Sequence, residues 1–265
     1  MVNGQKEVLN TETLKARITK LEYGNGSEGG EFISISADDI RRVYIEETGK
    51  EPPQMITVYK SDDYKTGRKD SGFDGTVIHF FDSLKGINQS YMISRGTENT
   101  ESHGKADLIA RDWVYNALGI FTGKVNDQLK DAKTFEKQTS KEINTFLERR
   151  GTNEKLPKLK KIGMGHSLGG NHIQMMHLLD VSFDSIHVMN DAAPTVYQLA
   201  ESDAEFLRSI QRKYGGEIQN KNYLYALDPK KLQSFAEFYY KSKGANIHHI
   251  TSKEDILYPL HLIRG

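Results

Sequence analysis

Cysteine is absent from this sequence of 265 residues. The absence excludes a disulfide framework, a thiol nucleophile, thiolate metal sites and iron–sulfur clusters. An excess of charge of either sign is also missing, because 36 Lys and Arg residues balance 36 Asp and Glu residues. Without a basic excess the chain lacks the electrostatic footprint of a nucleic-acid-binding protein, so we expect no nucleic-acid partner.

Long apolar runs and targeting signals are missing as well. No apolar run approaches the ~18 residues of a transmembrane helix, and the polar residues 1–7 lack the pattern of a cleaved signal peptide. We find no dinucleotide fingerprint, phosphate loop or metal-ligand spacing, so we expect neither a cofactor nor a metal. Hydrophobic residues make up 37% of the sequence, which is ordinary for a globular protein.

Segments with strand patterns alternate with segments of helical pattern. Strands are predicted over 55–60, 76–81, 89–94, 159–164, 185–189, 222–227 and 246–251, and helices over 10–22, 36–49, 105–118, 124–150, 168–179, 198–213 and 229–243. Such alternation requires crossover connections and a mostly parallel sheet, so the predicted fold class is α/β. We expect one domain over 1–265, with an N-terminal helical and linker extension of about residues 1–30 that ends in the glycine-rich stretch 24–30.

A G-x-S-x-G pentapeptide, Gly165 to Gly169, joins the predicted strand 159–164 to the next helix. A serine in such a turn takes strained backbone angles that lift its hydroxyl clear of the sheet. The two glycines are needed because a larger side chain there would collide with the neighbouring strand and helix. Ser167 is therefore the predicted nucleophile, and the N–H of Leu168 at the start of the helix is a predicted oxyanion donor. The alternative is a glycine-rich turn with an incidental serine.

We call residues 165–170 (GHSLGG), which form the turn around Ser167, the elbow. Their sequence resembles that of the same turn in the class 3 lipases, a family with the α/β-hydrolase fold. Upstream, residues 94–97 (SRGT) are similar to the family's Phe-Arg-Gly-Thr turn, and Asp112 with Trp113 is similar to its Asp-Trp pair. The resemblance implies that Thr97 supplies the second oxyanion donor, and that the protein hydrolyses lipid esters through an acyl-enzyme without a cofactor. Ser94 stands where the family has an aromatic residue, which changes the wall beside the oxyanion hole.

A serine nucleophile needs a histidine base, and in this fold the base follows the serine in the chain. We predict His261 as the base, because it lies in a loop after the last predicted strand. The alternatives are His248 and His249, within that strand, or a histidine beyond residue 265.

The base in turn needs a carboxylate that orients it. Asp228 is the predicted acid, because it follows the predicted strand 222–227 and precedes Pro229. Asp255 is an alternative, since it lies in a segment similar to the one that carries the acid in class 3 lipases. Asp191, which follows the predicted strand 185–189, is a third candidate.

The segment 98–130 contains an unusually apolar stretch, 113–121, with the only Trp of the sequence. It is either a core helix or a mobile flap whose apolar face covers an acyl-chain groove and meets lipid when open.

A cysteine-free lipase domain without a signal peptide also resembles the lipase toxins of Gram-positive type VII secretion systems. That resemblance implies a phospholipase of the A1 type that acts on target-cell membranes, and it implies an immunity protein and helical secretion partners. It further implies that these residues are the catalytic part of a longer protein, secreted without a cleaved signal. Outside this resemblance, the same residues would suit a cytoplasmic esterase or thioesterase, or a module that binds lipid or protein without turnover.

Overall fold

The structure, a computed structural model, is built on a six-stranded mixed sheet whose strands lie side by side in chain order. It describes residues 5–22, 35–64, 71, 73–95, 125–150, 157–191, 193–215 and 221–250. The strands are β1 (Met55–Lys60), β2 (Asp74–Asp82), β3 (Ile87–Arg95), β4 (Lys160–His166), β5 (Ser185–Met189) and β6 (Ile247–Ile250). β1, β2 and β3 pair antiparallel, whereas β3 to β6 are parallel. The predicted α/β class is confirmed.

The helices pack around this sheet. They are α1 (Glu12–Leu21), α2 (Ala37–Thr48), α3 (Val125–Arg149), α4 (Leu168–Leu179), α5 (Val196–Ser202), α6 (Ala204–Tyr214), α7 (Pro229–Tyr239) and α8 (Lys241–Gly244), with 3-10 helices at Ser61–Asp63 and Lys221–Ala226. Within the described residues, no helix combines the length and the apolar character needed to cross a membrane.

Local sequence sets the ends of α2. The Ser36 hydroxyl accepts a hydrogen bond from the N–H of Asp39, and the Asp39 carboxylate accepts one from the N–H of Ser36, which makes the predicted capping box. At the other end Gly49 takes a left-handed conformation, with φ of 66°, that a side chain would disfavour. Both ends of this helix are confirmed.

One face of the sheet is covered by α1 and α2, and we call it the α1 face. Its buried core is aliphatic and aromatic and consists of Val8, Leu9, Leu14, Ile18, Ile35, Ile40, Val43, Ile78, Phe80, Tyr91, Ile93, Ile162 and Met164. The chain before α1 is also tied to β3, because the N–H groups of Val8 and Leu9 donate to the side chains of Gln89 and Tyr91 at 2.9 and 3.1 Å. The helix expected in an N-terminal extension is therefore part of the core.

The opposite face, which we call the α4 face, carries the larger core. Buried residues of α3 and α4 there include Leu129, Phe135, Ile143, Ile173, Met175 and Met176, and they pack with Val77, Met92, Ile186 and Val188 of the sheet. Helices α5 to α7 extend this cluster with Leu199, Phe206, Ile210 and Leu232.

The predicted strand 222–227 is wrong, because Lys221–Ala226 forms a 3-10 helix. Short apolar runs fit a strand or a helical turn equally well, and here the place beside β5 is taken by β6, where Met189 pairs with Ile250. Asp228 therefore does not follow a strand. It is the exposed N-cap of α7, and its carboxylate accepts from the N–H of Lys231 at 3.1 Å.

The predicted helix 198–213 is divided into α5 and α6. Asp203 separates them, because its carboxylate accepts from the N–H groups of Glu205 and Phe206 and so starts a new helix. The long helix predicted over 124–150 is confirmed as α3. The predicted helix 105–118 lies outside the described residues.

Candidate functional site

Ser167 lies in the sharp turn between β4 and α4, with φ of 56° and ψ of −125°. A positive φ at a residue other than glycine is strained, at a cost of about 1–3 kcal/mol, and persists only where the surrounding structure enforces it. Part of that enforcement is a hydrogen bond from the N–H of Ser167 to the carbonyl of Met189 at 3.1 Å. The predicted strain at the serine of the pentapeptide is confirmed.

The glycines on either side of Ser167 allow the backbones to meet. A Cβ atom on Gly165 would lie 2.6 Å from the carbonyl carbon and oxygen of Gly169, and one on Gly169 would overlap the carbonyl oxygen of Ser94. Both distances are far below any van der Waals separation, so the two positions must lack a side chain. The elbow is thus held against the end of β3 by direct backbone packing.

The first turn of α4 presents N–H groups beside Ser167. Leu168 and Gly169 are its first two residues, whose N–H groups have no acceptor within a helix. Ser167 is the N-cap residue, yet within the described residues its hydroxyl makes no capping hydrogen bond. The arrangement leaves the hydroxyl for another use and directs the positive end of the helix dipole toward any negative charge that develops there.

A carboxylate and an imidazole meet next to this elbow. His249, near the end of β6, lies with its Nδ1 3.0 Å from the Oδ1 of Asp191, just after β5. The Asp191 side chain is fully buried, whereas that of His249 is 45% exposed. Asp191 also contacts the elbow helix, because its other carboxylate oxygen accepts from the amide of Gln174 at 2.6 Å.

A comparison with family models matches residues 13–265 to a family described as a domain of unknown function, DUF6792. The chain belongs to this family. It is also 30% identical over 274 residues to the uncharacterised protein YvcB of Bacillus subtilis (strain 168). That alignment covers 96% of this chain and 40% of YvcB, so the chain spans less than half the length of this relative. No solved structure matches the chain.

In this member of DUF6792, a buried histidine lies beside a buried serine near the end of β3. The Nδ1 of His172 lies 3.3 Å from the hydroxyl of Ser94. Burial lowers the pKa of His172 to about 4, so its ring is neutral at physiological pH. We interpret the pair as support for the end of β3.

A second carboxyl group, Glu22 at the end of α1, lies near Asp74 and Arg95 at the same edge of the sheet. Burial raises the pKa of Glu22 to about 7, and the nearby charge of Asp74 adds to this, although a hydrogen bond with Thr76 opposes it. Nothing in the local sequence indicates this shift, because it arises where α1 meets strands that are more than 50 residues away in the chain.

The structure brings together some of the sequence-based candidates. Ser167, Leu168, Asp191 and His249 lie at the carboxyl ends of β4, β5 and β6. Thr97, Asp255 and His261 lie outside the described residues, as does the apolar stretch 113–121. Their roles stay predictions.

The two remaining candidates are placed elsewhere. Asp228 begins α7, and the ring of His248 stacks on that of His187 with centroids 4.9 Å apart. His187 lies on the α1 face, where its Nε2 is 3.0 Å from the Glu7 carboxylate. Within the described residues, no group of three or more His, Asp or Glu side chains is arranged to hold a metal ion.

Proposed function

We propose that this chain is a serine hydrolase with the α/β-hydrolase fold, which cleaves carboxylic esters of lipids through an acyl-enzyme at Ser167. One observation carries the proposal more than any other. Ser167 has a strained backbone between a parallel strand and a helix, and glycines on both sides let that helix contact the strand. A protein maintains such strain when the side chain that it positions has a use.

The geometry supports nucleophilic attack in the following way. The Ser167 oxygen bonds to the ester carbonyl carbon while a histidine takes its proton, and the carbonyl oxygen becomes an oxyanion. The N–H of Leu168 stabilises that oxyanion, and Thr97 is the proposed second donor. The histidine then protonates the departing alcohol and activates the water that releases the acid. Loss of one oxyanion donor should lower the rate by about 10²–10³-fold.

The lipid substrate is proposed from sequence rather than from a cavity. Its supports are the resemblance of residues 94–97 and 165–170 to class 3 lipases and the apolar stretch 113–121, which suits a flap over an acyl chain. We further propose that the chain is the catalytic part of a longer type VII-secreted toxin, a phospholipase of the A1 type with an immunity protein and helical secretion partners. YvcB, which is much longer than this chain, fits a catalytic domain with additional segments.

A fluorophosphonate probe tests the proposed chemistry, because it reacts with a serine only when that serine is activated. We expect labelling of the wild type, no labelling of Ser167→Ala, and normal labelling of the control Ser209→Ala, whose hydroxyl donates to a helix carbonyl away from the elbow. An unlabelled wild type would refute the hydrolase and favour a module that only binds.

Fatty-acid release tests the substrate class. We expect release from phospholipid vesicles and from a soluble short-chain ester, with both lost in Ser167→Ala and vesicles preferred. Hydrolysis of the soluble ester alone would make the chain a general esterase and would contradict the lipid and toxin assignments.

A further inference from the structure

We infer that His249 is the general base of this site and that Asp191 is the carboxylate that positions it. The inference rests on the proposed function and replaces the sequence-based pair His261 and Asp228. It follows from where the two side chains lie, how they are bonded and what surrounds them.

The pair is joined to the nucleophile elbow by backbone contacts. The N–H of Ser167 donates to the carbonyl of Met189, two residues before Asp191, at 3.1 Å. The N–H of Asn190 donates to the carbonyl of Ile250, the residue after His249, at 3.0 Å. The ends of β4, β5 and β6 are therefore in register at this edge, which is where ligands bind in α/β proteins.

Asp191 also packs directly onto the helix that begins at Ser167. A Cβ atom on Gly170 would lie only 2.6 Å from the Cβ of Asp191, so the missing side chain at Gly170 makes room for the base of the Asp191 side chain. Three glycines of the elbow segment thus have different partners: Gly165 and Gly169 let the helix meet the strands, and Gly170 admits Asp191.

The hydrogen bond between the two residues fixes the tautomer of His249. An ionised carboxylate can only accept, so the Nδ1 of His249 carries the proton that faces Asp191. The other ring nitrogen, Nε2, is then the one with a lone pair for the Ser167 proton. Because the Asp191 carboxylate is buried and also bonded to Gln174, it holds the ring in one orientation.

Two other described histidines near this edge are less suited to the task. His172 is buried against Ser94, and burial lowers its pKa to about 4, so it is a weak base. His248 alternates with His249 along β6 and stacks on His187 on the opposite face of the sheet. His249 combines partial exposure with a buried carboxylate partner, and a buried carboxylate also holds the histidine base in a serine triad.

In the proposed reaction every proton that leaves one group is taken up by another. The bond from the Ser167 oxygen to the carbonyl carbon forms as the hydroxyl proton moves to the Nε2 of His249. That proton passes to the alcohol as the ester C–O bond breaks. A water molecule then gives a proton to Nε2 as it attacks the acyl carbon, and the proton returns to Ser167 when the acid leaves.

The test compares His249→Gln and Asp191→Asn with His248→Gln in the full chain. We expect kcat on a soluble ester to fall about 10⁴-fold in each of the first two variants and to stay unchanged in His248→Gln. The rate of fluorophosphonate labelling should fall in parallel. Circular dichroism should show that His249→Gln, which alters a half-exposed side chain, keeps its fold.

The pH–rate profile separates positioning from a merely structural role. Asp191→Asn should recover part of its rate at high pH, where hydroxide takes over the proton transfer from the weakened base. A plain loss of folded protein in Asp191→Asn would show no such recovery.

Two outcomes would overturn the inference in distinguishable ways. If Ser167 is labelled and esters are cleaved, but His261→Gln or Asp228→Asn abolishes activity while His249→Gln and Asp191→Asn do not, the pair is wrong and the hydrolase stands. If the wild type neither reacts with the probe nor cleaves ester, the proposed function fails and the pair fails with it.

Discussion

The two faces of the sheet meet their helices in opposite ways. On the α4 face, glycines let α4 approach the strands closely: a Cβ atom on Gly169 would overlap the carbonyl oxygen of Ser94, and one on Gly163 would lie only 2.5 Å from the side chain of Ile173. On the α1 face, side chains make the contact. There Glu7 is bonded to Ser185 at 2.5 Å, to Lys15 at 2.9 Å and to His187 at 3.0 Å.

This contrast separates the part of the fold that shapes the proposed active site from the part that mainly stabilises the protein. The elbow on the α4 face achieves its geometry by omitting side chains at Gly165 and Gly169, so its backbone cannot adjust when one is added. The α1 face consists of ordinary core packing and a polar network, which lose contributions one at a time. Substitutions at these glycines should therefore disturb the elbow abruptly, and those on the α1 face should lower stability in steps.

The largest effect is expected from Gly169→Ala. Its Cβ would overlap the Ser94 carbonyl, a backbone atom that cannot rotate away, so α4 and β3 would have to separate. We expect a loss of more than ~3 kcal/mol in unfolding free energy, measured by urea denaturation, together with loss of probe labelling. The matched control is Gly244→Ala, where a Cβ would meet nothing within 4 Å and stability should change by less than about 0.5 kcal/mol. Equal stability of the two variants would contradict the backbone packing described for the elbow.

A somewhat smaller effect is expected from Leu14→Ala in α1. Leu14 is fully buried against the sheet, so truncation should cost about 3 kcal/mol through lost burial and the cavity that remains. Leu84→Ala makes the same chemical change at a side chain that is 92% exposed, and its melting temperature should match that of the wild type. If Leu14→Ala were equally silent, α1 would be a separable extension, as the sequence suggested, and not part of the core.

The smallest effect of the three is expected from Glu7→Gln, which leaves the buried ammonium of Lys15 without its carboxylate. We expect a loss of about 2 kcal/mol at pH 7, within the range for a hydrogen bond to a charged group. The matched control, Glu205→Gln, affects only exposed ion pairs, with Arg208 and Arg212, and should cost less than about 1 kcal/mol.

The pH dependence of this loss follows from the pKa of Glu7. Burial alone would raise that pKa, but hydrogen bonds with His187, Ser185 and Lys15 outweigh burial and lower it in the folded protein. A carboxyl group with a lowered folded pKa stabilises the protein above its unfolded pKa, about 4.3, and loses that contribution as the pH falls. The difference between wild type and Glu7→Gln should therefore shrink steadily below about pH 4 in urea titrations. A difference that stayed constant to pH 2 would show that the variant loses packing and not charge.

Much of the fold could be predicted because its signals are local. The capping box at Ser36, the left-handed Gly49 and the strands 55–60 and 185–189 each depend on residues a few positions apart. The elbow is local as well, since a strand, a pentapeptide and a helix are consecutive in the chain. The need for glycine at positions 165 and 169 could be predicted from the sequence, because a turn this sharp brings backbone atoms a few residues apart into contact.

The misplaced elements have a different physical origin. Residues 222–227 have the composition of a strand, yet the strand that pairs with β5 is the later segment β6. The earlier segment forms a 3-10 helix in which Leu224 is buried. No local pattern decides which of two apolar segments pairs with a strand. That choice depends on which segment can also cover the core.

By itself, then, the sequence determined the α/β class, the position of Ser167 at a strained elbow and the two glycines that the elbow needs. Only the tertiary structure decided that α1 belongs to the core and that Asp191 meets His249. The first set depends on neighbours in the chain, whose geometry is fixed by backbone sterics. The second joins residues 58 or more positions apart, and such contacts form only when burial of the whole core outweighs the entropy of closing long loops.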